Sequence, residues 1–283
     1  MSEAAAFFDL DKTIIARSST LAFSRAFFEG GLITRRSALR SAYAQFVFGL
    51  TGVDAKQMER MRSYLSQLCA GWDVQTVRDI VADTLHTIID PLVYDEAVAL
   101  IEDHRRAGRD VVIVSTSGSE VVEPIGELLG VQHVIATRMV VEDGRYTGEI
   151  GFYAYAEHKA TAMRELAERE GYDLSRSYAY SDSETDAPML ALVGHAYAVN
   201  PDRGLRRLAV GRGWEVLRFS HPVELRARLG LRSRPAYVAA TAVVGVLVTV
   251  GVVLRVRRTW RGRAVRESRT TRRRPLPLRV AEG

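Results

Sequence analysis

The sequence predicts an α/β protein: a doubly wound, Rossmann-like parallel sheet with an inserted α-helical block and an apolar helix near the C-terminus. Three observations carry this reading. Asp110–Ser115 places four β-branched aliphatics in a row, the pattern of a strand buried on both faces. From residue 110 to 219 strand and helix patterns alternate, which argues for parallel strands joined by right-handed crossovers. Residues 20–89, by contrast, show helical patterns and no good strand.

In chain order, residues 4–8 (Ala-Ala-Ala-Phe-Phe) are short, apolar and uncharged, and suit a buried first strand. Helical patterns follow at 20–29, 34–48, 54–69 and 73–89, punctuated by Gly30-Gly31, Gly49, Gly52 and Gly71. Ser18, Ser19 and Thr20 offer N-caps to the first. Pro91 is expected to open a helix that runs to Ala107 and stops at Gly108. After the strand 110–115, a helix reaches about Leu129 and a strand covers 134–136. Residues 139–148 read as a hairpin turning at Asp143-Gly144. A helix over 158–170 ends at Gly171. Strands at 177–180, 195–199 and 214–219, with helices at 188–193 and 202–210, complete the pattern.

Composition narrows the function classes. The 283 residues are 47% hydrophobic, enough for a sizeable core in one or two domains. The single cysteine, Cys69, excludes an internal disulfide and a cysteine metal cluster within one chain. The six histidines show no metal-binding spacing. The net charge of +5 is a property of the tail: residues 255–283 hold 11 Arg and 2 Glu, so the preceding chain is net acidic. A nucleic-acid partner is therefore not expected, because its basic footprint should lie on the folded body.

The chemistry is read from the strand ends, where open α/β sheets bind ligands. The first strand delivers Asp9 and Asp11, which share a face in an extended segment. Two carboxylates so close call for a cation between them, and a hard ion such as Mg²⁺ is the usual answer. The second delivers Ser115, then Thr116 and Ser117, and the amides of a helix start that favour an anion. The strand before Ser181 delivers Asp182 and Asp186 in the loop after it, and Lys159 begins the helix before that strand. A lysine in a first helical turn opposes the dipole, which favours a bound anion as its partner.

The ordered set Asp-x-Asp-x-Thr over 9–13, a hydrophobic strand ending in Ser115, Lys159, and Asp-x-x-x-Asp over 182–186 resembles the haloacid dehalogenase superfamily of phosphohydrolases, in its phosphoserine-phosphatase-like branch. The resemblance spans about residues 4–219. It implies a catalytic core of residues 1–16 and 91–230 and a helical cap of residues 17–90. It also implies roles. Asp9 is the nucleophile that becomes an aspartyl-phosphate, and Asp11 the acid/base. Ser115, Thr116 and Lys159 bind the phosphoryl oxygens. Asp9, the Asp11 carbonyl and Asp182 hold Mg²⁺, and Asp186 orders the metal's water shell or orients Lys159. The chain departs from that branch at Ser18, where a Glu reads the amino group of phosphoserine, at Ser181 in place of Gly and at Thr185 in place of Asn. Phosphoserine is therefore not implied as the substrate. The same fold kept as a regulatory scaffold, and phosphoryl transfer to an alcohol other than water, are the rival readings.

Residues 236–254 are 19 in number and uncharged, with eight Val. As a helix they span about 28 Å, near the hydrocarbon thickness of a bilayer, and the expectation is a single membrane span. Thr241, Gly245 and Thr249 form a small-residue stripe that could pair two copies. The N-terminus lacks the pattern of a signal peptide, so the catalytic body is expected on the cytoplasmic side. The 11 Arg beyond the segment, against Arg226, Arg228, Arg232 and Arg234 before it, favour the tail inside instead. A re-entrant or surface-lying segment would satisfy both. The Arg-rich residues 255–283 are expected to be disordered. A phosphate monoester, small or lipid-borne, is the expected ligand.

Overall fold

The structure, a computed structural model, describes residues 2–33, 63, 66–220 and 222. The expected helices at 34–48 and most of 54–69, the apolar segment 236–254 and the Arg-rich tail lie outside the described residues. The described residues all fall within one compact unit, residues 1–231.

Seven strands form one sheet: β1 (Ala5–Phe8), β2 (Asp110–Gly118), β3 (His133–Glu142), β4 (Arg145–Phe152), β5 (Tyr178–Ser181), β6 (His195–Val199) and β7 (Glu215–Leu217), in the order β4-β3-β2-β1-β5-β6-β7. All neighbours are parallel except the β3–β4 hairpin. That hairpin turns at Asp143 (φ 48°) and Gly144 (φ 75°), the left-handed pair that a two-residue turn needs to match strand twist. β1 lies between β2 and β5, so the chain leaves it first towards one edge and later fills the other. The crevice at the end of β1 is the topological switch point, where such sheets bind ligands.

The helices are α1 (Ser19–Glu29), α2 (Val74–Ile89), α3 (Asp95–Arg106), α4 (Ser119–Leu129), α5 (Glu157–Glu170), α6 (Ala187–Ala191) and α7 (Arg203–Arg212). Strand alternation assigns them to faces. Ala6, Phe8, Val111 and Ile113 point to the side packed with α2, α3 and α4, through Val81, Ile101 and Ile125. Ala5, Phe7, Val112 and Val114 point to the side packed with α5, α6 and α7, through Met163, Leu190 and Leu205. Both layers are present, so the doubly wound expectation holds.

Two of the boundaries that differ from expectation bear on the site. Pro91 opens only a 3₁₀ turn, Asp90–Leu92. The chain then runs extended through Val93 and Tyr94, because Tyr94 N–H donates to the Ile14 carbonyl (2.9 Å) and Ala16 N–H to the Leu92 carbonyl (2.8 Å). The helix starts at Asp95, with Asp95 and Glu96 complementing its dipole. The return from the helical block is thereby tied to the exit from β1. The second difference is that β2 runs three residues past Ser115. Ser115 pairs with Ala136 and Gly118 with Thr137, so Thr116 and Ser117 form a bulge, a device that re-aims side chains beside active sites.

Candidate active site

Asp9 is the first residue beyond β1, and its N–H donates to the Tyr180 carbonyl at 2.9 Å. This bond clamps it between β1 and β5. Lys159 lies in the first turn of α5, fully buried, and its Nζ donates to Asp9 Oδ1 at 2.7 Å and to Asp186 Oδ2 at 2.9 Å. Ser181, the last residue of β5, donates its hydroxyl to the same Asp186 oxygen at 2.7 Å. The lysine in a first helical turn is thus paired with two side-chain carboxylates of the protein. The backbone before it is unusual: Ala156, the N-cap of α5, sits at φ 48° and ψ −121°. Such a conformation at a residue with a side chain costs roughly 1–3 kcal/mol and turns the chain from the end of the hairpin into the helix that delivers Lys159.

Asp182 follows Ser181 and is 8% exposed. The nearest cation to it is Lys12, in a left-handed turn (φ 64°), with Nζ 4.0 Å from Asp182 Oδ2. Burial pushes the Asp182 carboxyl up to about 6; Lys12 opposes the shift, while Asp186 and Asp202 add to it. Burial also drives Asp9 well above the usual carboxylate range, against the pull of Lys159 and with the push of Asp186 and Asp182. For Lys159 burial favours the neutral amine, but Asp9 and Asp186 outweigh it and hold the ammonium charged, above its ordinary range. Both directions have one origin: three buried carboxylates share a single buried cation.

That excess of negative charge is what a divalent cation would neutralise. Among the described residues no group of three or more acidic, His or Cys side chains is placed to hold a metal ion by itself. Two carboxylates, Asp9 and Asp182, with one backbone carbonyl, from Asp11, fit Mg²⁺, which keeps several waters and takes few protein ligands.

Ser115 is buried, and its Oγ accepts the Ser117 N–H at 3.2 Å, which leaves its own proton free to donate. Thr116 is turned away: its hydroxyl donates to the Ala154 carbonyl at 2.9 Å. Of the residues expected to grip phosphate, Thr116 therefore has its hydroxyl engaged by Ala154. Asp11 accepts Ser19 N–H on Oδ1 (2.7 Å) and the Ser117 hydroxyl on Oδ2 (3.1 Å). Thr13 is wholly buried, and its hydroxyl has no hydrogen-bond partner among the described residues. Ser18 stands at the N-cap of α1 without a side-chain cap bond.

Sequence reasoning missed Ser19 as a partner of Asp11 and Ser181 as a partner of Asp186. The serine and threonine density of 18–20 and 115–119 was visible. The pairing was not, since Ser117 lies 106 residues from Asp11.

A buried carboxylate–lysine–carboxylate triad thus lies at the switch point, with a second acid, Asp11, two residues from the first. Residues 6–191 match the family of haloacid dehalogenase-like hydrolases, and the chain belongs to that family. Within it, the chain is 65% identical over 243 residues to the inhibition of morphological differentiation protein of Streptomyces azureus, covering 84% of this chain and 88% of that one. It is 62% identical over 242 residues to a probable phosphatase of Mycobacterium tuberculosis (86% and 84%). It is 35% identical over 246 residues to a phosphoserine phosphatase of the same species (86% and 80%), which places it in the phosphoserine-phosphatase-like branch. The crystal structure of a Bordetella pertussis protein of unknown function superposes with a TM-score of 0.68 at 29% identity, covering 77% of this chain and 99% of that one.

Proposed function

We propose that this protein is a Mg²⁺-dependent phosphatase that hydrolyses a phosphate monoester through an aspartyl-phosphate on Asp9. The observation that carries the reading is the Asp9–Lys159–Asp186 triad, with Lys159 at 2.7 Å from Asp9 and 2.9 Å from Asp186. An Asp9 oxygen attacks phosphorus, the bond to the leaving oxygen breaks, and Asp11 gives that oxygen its proton. Asp11, now a carboxylate, takes a proton from water; the water oxygen attacks phosphorus, the bond to Asp9 breaks, and inorganic phosphate leaves. Lys159, the Ser115 hydroxyl and the amides around Thr116 stabilise the charge on the phosphoryl oxygens. Mg²⁺, held by Asp9, the Asp11 carbonyl and Asp182, supplies charge neutralisation and orientation when bound. Asp186 and Ser181 hold Lys159 in place.

The substrate class is a phosphate monoester whose alcohol is selected by the helical residues 17–90, acting as a cap. Ser18 in place of a carboxylate speaks against an amino-bearing alcohol such as serine. A complete set of Asp9, Asp11, Lys159 and Asp182 favours catalysis over a scaffold role. The 19 uncharged residues 236–254 support a membrane tether, with the catalytic body on the cytoplasmic side.

Replacing Asp9 by Asn is expected to abolish Mg²⁺-dependent phosphate release from an aryl phosphate. Undiminished turnover would remove the mechanism. Loss of membrane partitioning on removal of residues 235–283 tests the tether.

A further inference from the structure

Asp11 is held from two directions, and neither holder belongs to its own turn. Ser19 N–H, at the first residue of α1, donates to Oδ1 at 2.7 Å. Ser117, in the β2 bulge, donates its hydroxyl to Oδ2 at 3.1 Å. Ser117 Oγ in turn accepts the Ser19 hydroxyl at 2.8 Å and lies 3.2 Å from Thr20 Oγ1. Ser19 is fully buried and Ser117 nearly so. The proton inventory closes in one way. With Asp11 ionised, the single Ser117 hydroxyl proton goes to Asp11, so Ser19 and Thr20 are the donors to Ser117. Every hydrogen bond in the chain points at the carboxylate, and each strengthens the next.

The same contacts give Asp11 a second duty. The first amides of a helix lack intrahelical partners, and the N-cap residue Ser18 makes no side-chain bond to them. Asp11 supplies that bond from outside the helix. Its carboxylate therefore has both oxygens committed to fixed donors, one on the first helix of the cap region and one on the core strand β2. A side chain so held cannot rotate without breaking one of them.

We propose that Ser117, itself fixed by Ser19, is the positioning residue that sets the Asp11 carboxylate for proton transfer to the leaving oxygen. This rests on the phosphatase reading above. Proton transfer needs the carboxyl oxygen within hydrogen-bond reach of the ester oxygen, and misplacement of about 1 Å costs on the order of 100-fold. Removing the Ser117 hydroxyl leaves Asp11 with one anchor and freedom to rotate about it. The loss falls on the step that needs the proton and spares attack by Asp9.

Leaving-group dependence separates this role from a merely structural one. Phenyl phosphate and p-nitrophenyl phosphate have similar size, but p-nitrophenolate departs with little help and phenolate needs protonation. The ratio kcat/KM reports events through cleavage of the ester. For the full chain carrying Ser117→Ala, kcat/KM for phenyl phosphate is expected to fall roughly 10- to 100-fold, as for partial loss of general acid catalysis. For p-nitrophenyl phosphate it should fall less than about threefold. Ser117→Thr, which keeps the hydroxyl, should restore the ratio. In an Asp11→Asn background the Ser117→Ala change should add no further discrimination, since the two act as one unit. Equal losses on both esters, or none, overturn the positioning role while leaving the phosphatase reading intact. A wild-type protein that turns over neither ester overturns both.

Discussion

Lys159→Met is the perturbation that the geometry makes most quantitative. The ammonium sits 2.7 Å from Asp9 and 2.9 Å from Asp186, and all three groups are almost fully buried. Methionine keeps the length of the side chain and removes the charge. Breaking a buried pair by deleting one partner costs about 3–5 kcal/mol, because the remaining carboxylates are left unneutralised. Their escape is to bind a proton. For a carboxyl of ordinary pKa near 4, taking up a proton at pH 7.5 costs about 5 kcal/mol, and at pH 5 about 1.5 kcal/mol. The sign follows: the folded variant holds a proton that the unfolded chain releases above pH 4, so its stability falls as pH rises. The expected deficit against wild type, in EDTA, is about 3–5 kcal/mol at pH 7.5 and about 1–2 kcal/mol at pH 5. At pH 7.5 that corresponds to a melting temperature lower by roughly 6–20 °C for a domain of this size. Urea and thermal unfolding of the full chain, followed by near-UV circular dichroism at both pH values, measure it. A deficit below about 1 kcal/mol at pH 7.5, or one that grows on acidification, would refute the reasoning.

Two further predictions use the buried titrating groups. Asp182, pushed up to about 6 by burial, is a liability in metal-free protein above that pH, so Asp182→Asn should raise stability by about 1–3 kcal/mol at pH 7.5, a gain that vanishes by pH 4; the same variant should lose the Mg²⁺-induced rise in melting temperature, checked by scanning with and without the metal. His104 is buried on α3, accepts Arg109 Nε on Nδ1 (2.7 Å) and lies 2.8 Å from the Tyr180 hydroxyl through Nε2, and burial, with help from Arg109, lowers it to about 4. It binds fewer protons folded than unfolded, so it contributes stability that is lost as pH falls from about 6.5 to about 4, at most about 3 kcal/mol; the difference between wild type and His104→Gln across that window should shrink accordingly.

The sheet and its order of chemistry were legible because burial on both faces leaves unmistakable apolar runs: Val111–Val114 could scarcely be anything but a central strand. Asp9, Lys159, Asp182 and Asp186 could be placed because each sits next to such a strand or opens a helix after one. What the sequence hid was set by distant contacts. Pro91 looked like a helix start, yet Val93 and Tyr94 are drawn into extended pairing with Ile14 and Ile15, and no local signal announces a partner nearly eighty residues away. The bulge at Thr116 and Ser117 goes with the register against β3, so the turning of the Thr116 hydroxyl to Ala154 and of the Ser117 hydroxyl to Asp11 could not be read from a run of serines and threonines. The positive φ of Ala156 is equally silent, since alanine carries no turn preference. Ser18, by contrast, was legible as an N-cap candidate and stands at the N-cap of α1.

The central claim is that Asp9 becomes phosphorylated, and the most direct measurement is to catch that species. Wild-type protein mixed with ³²P-labelled p-nitrophenyl phosphate, whose leaving group needs little protonation, and Mg²⁺, quenched in acid within a turnover and digested, should yield one labelled peptide. The label should lie on Asp9 and be released by hydroxylamine, as an acyl phosphate is. Asp11→Asn, which slows attack by water, should raise its yield, and Asp9→Asn should abolish it. Phosphate release with no label at Asp9 in either protein would contradict the account.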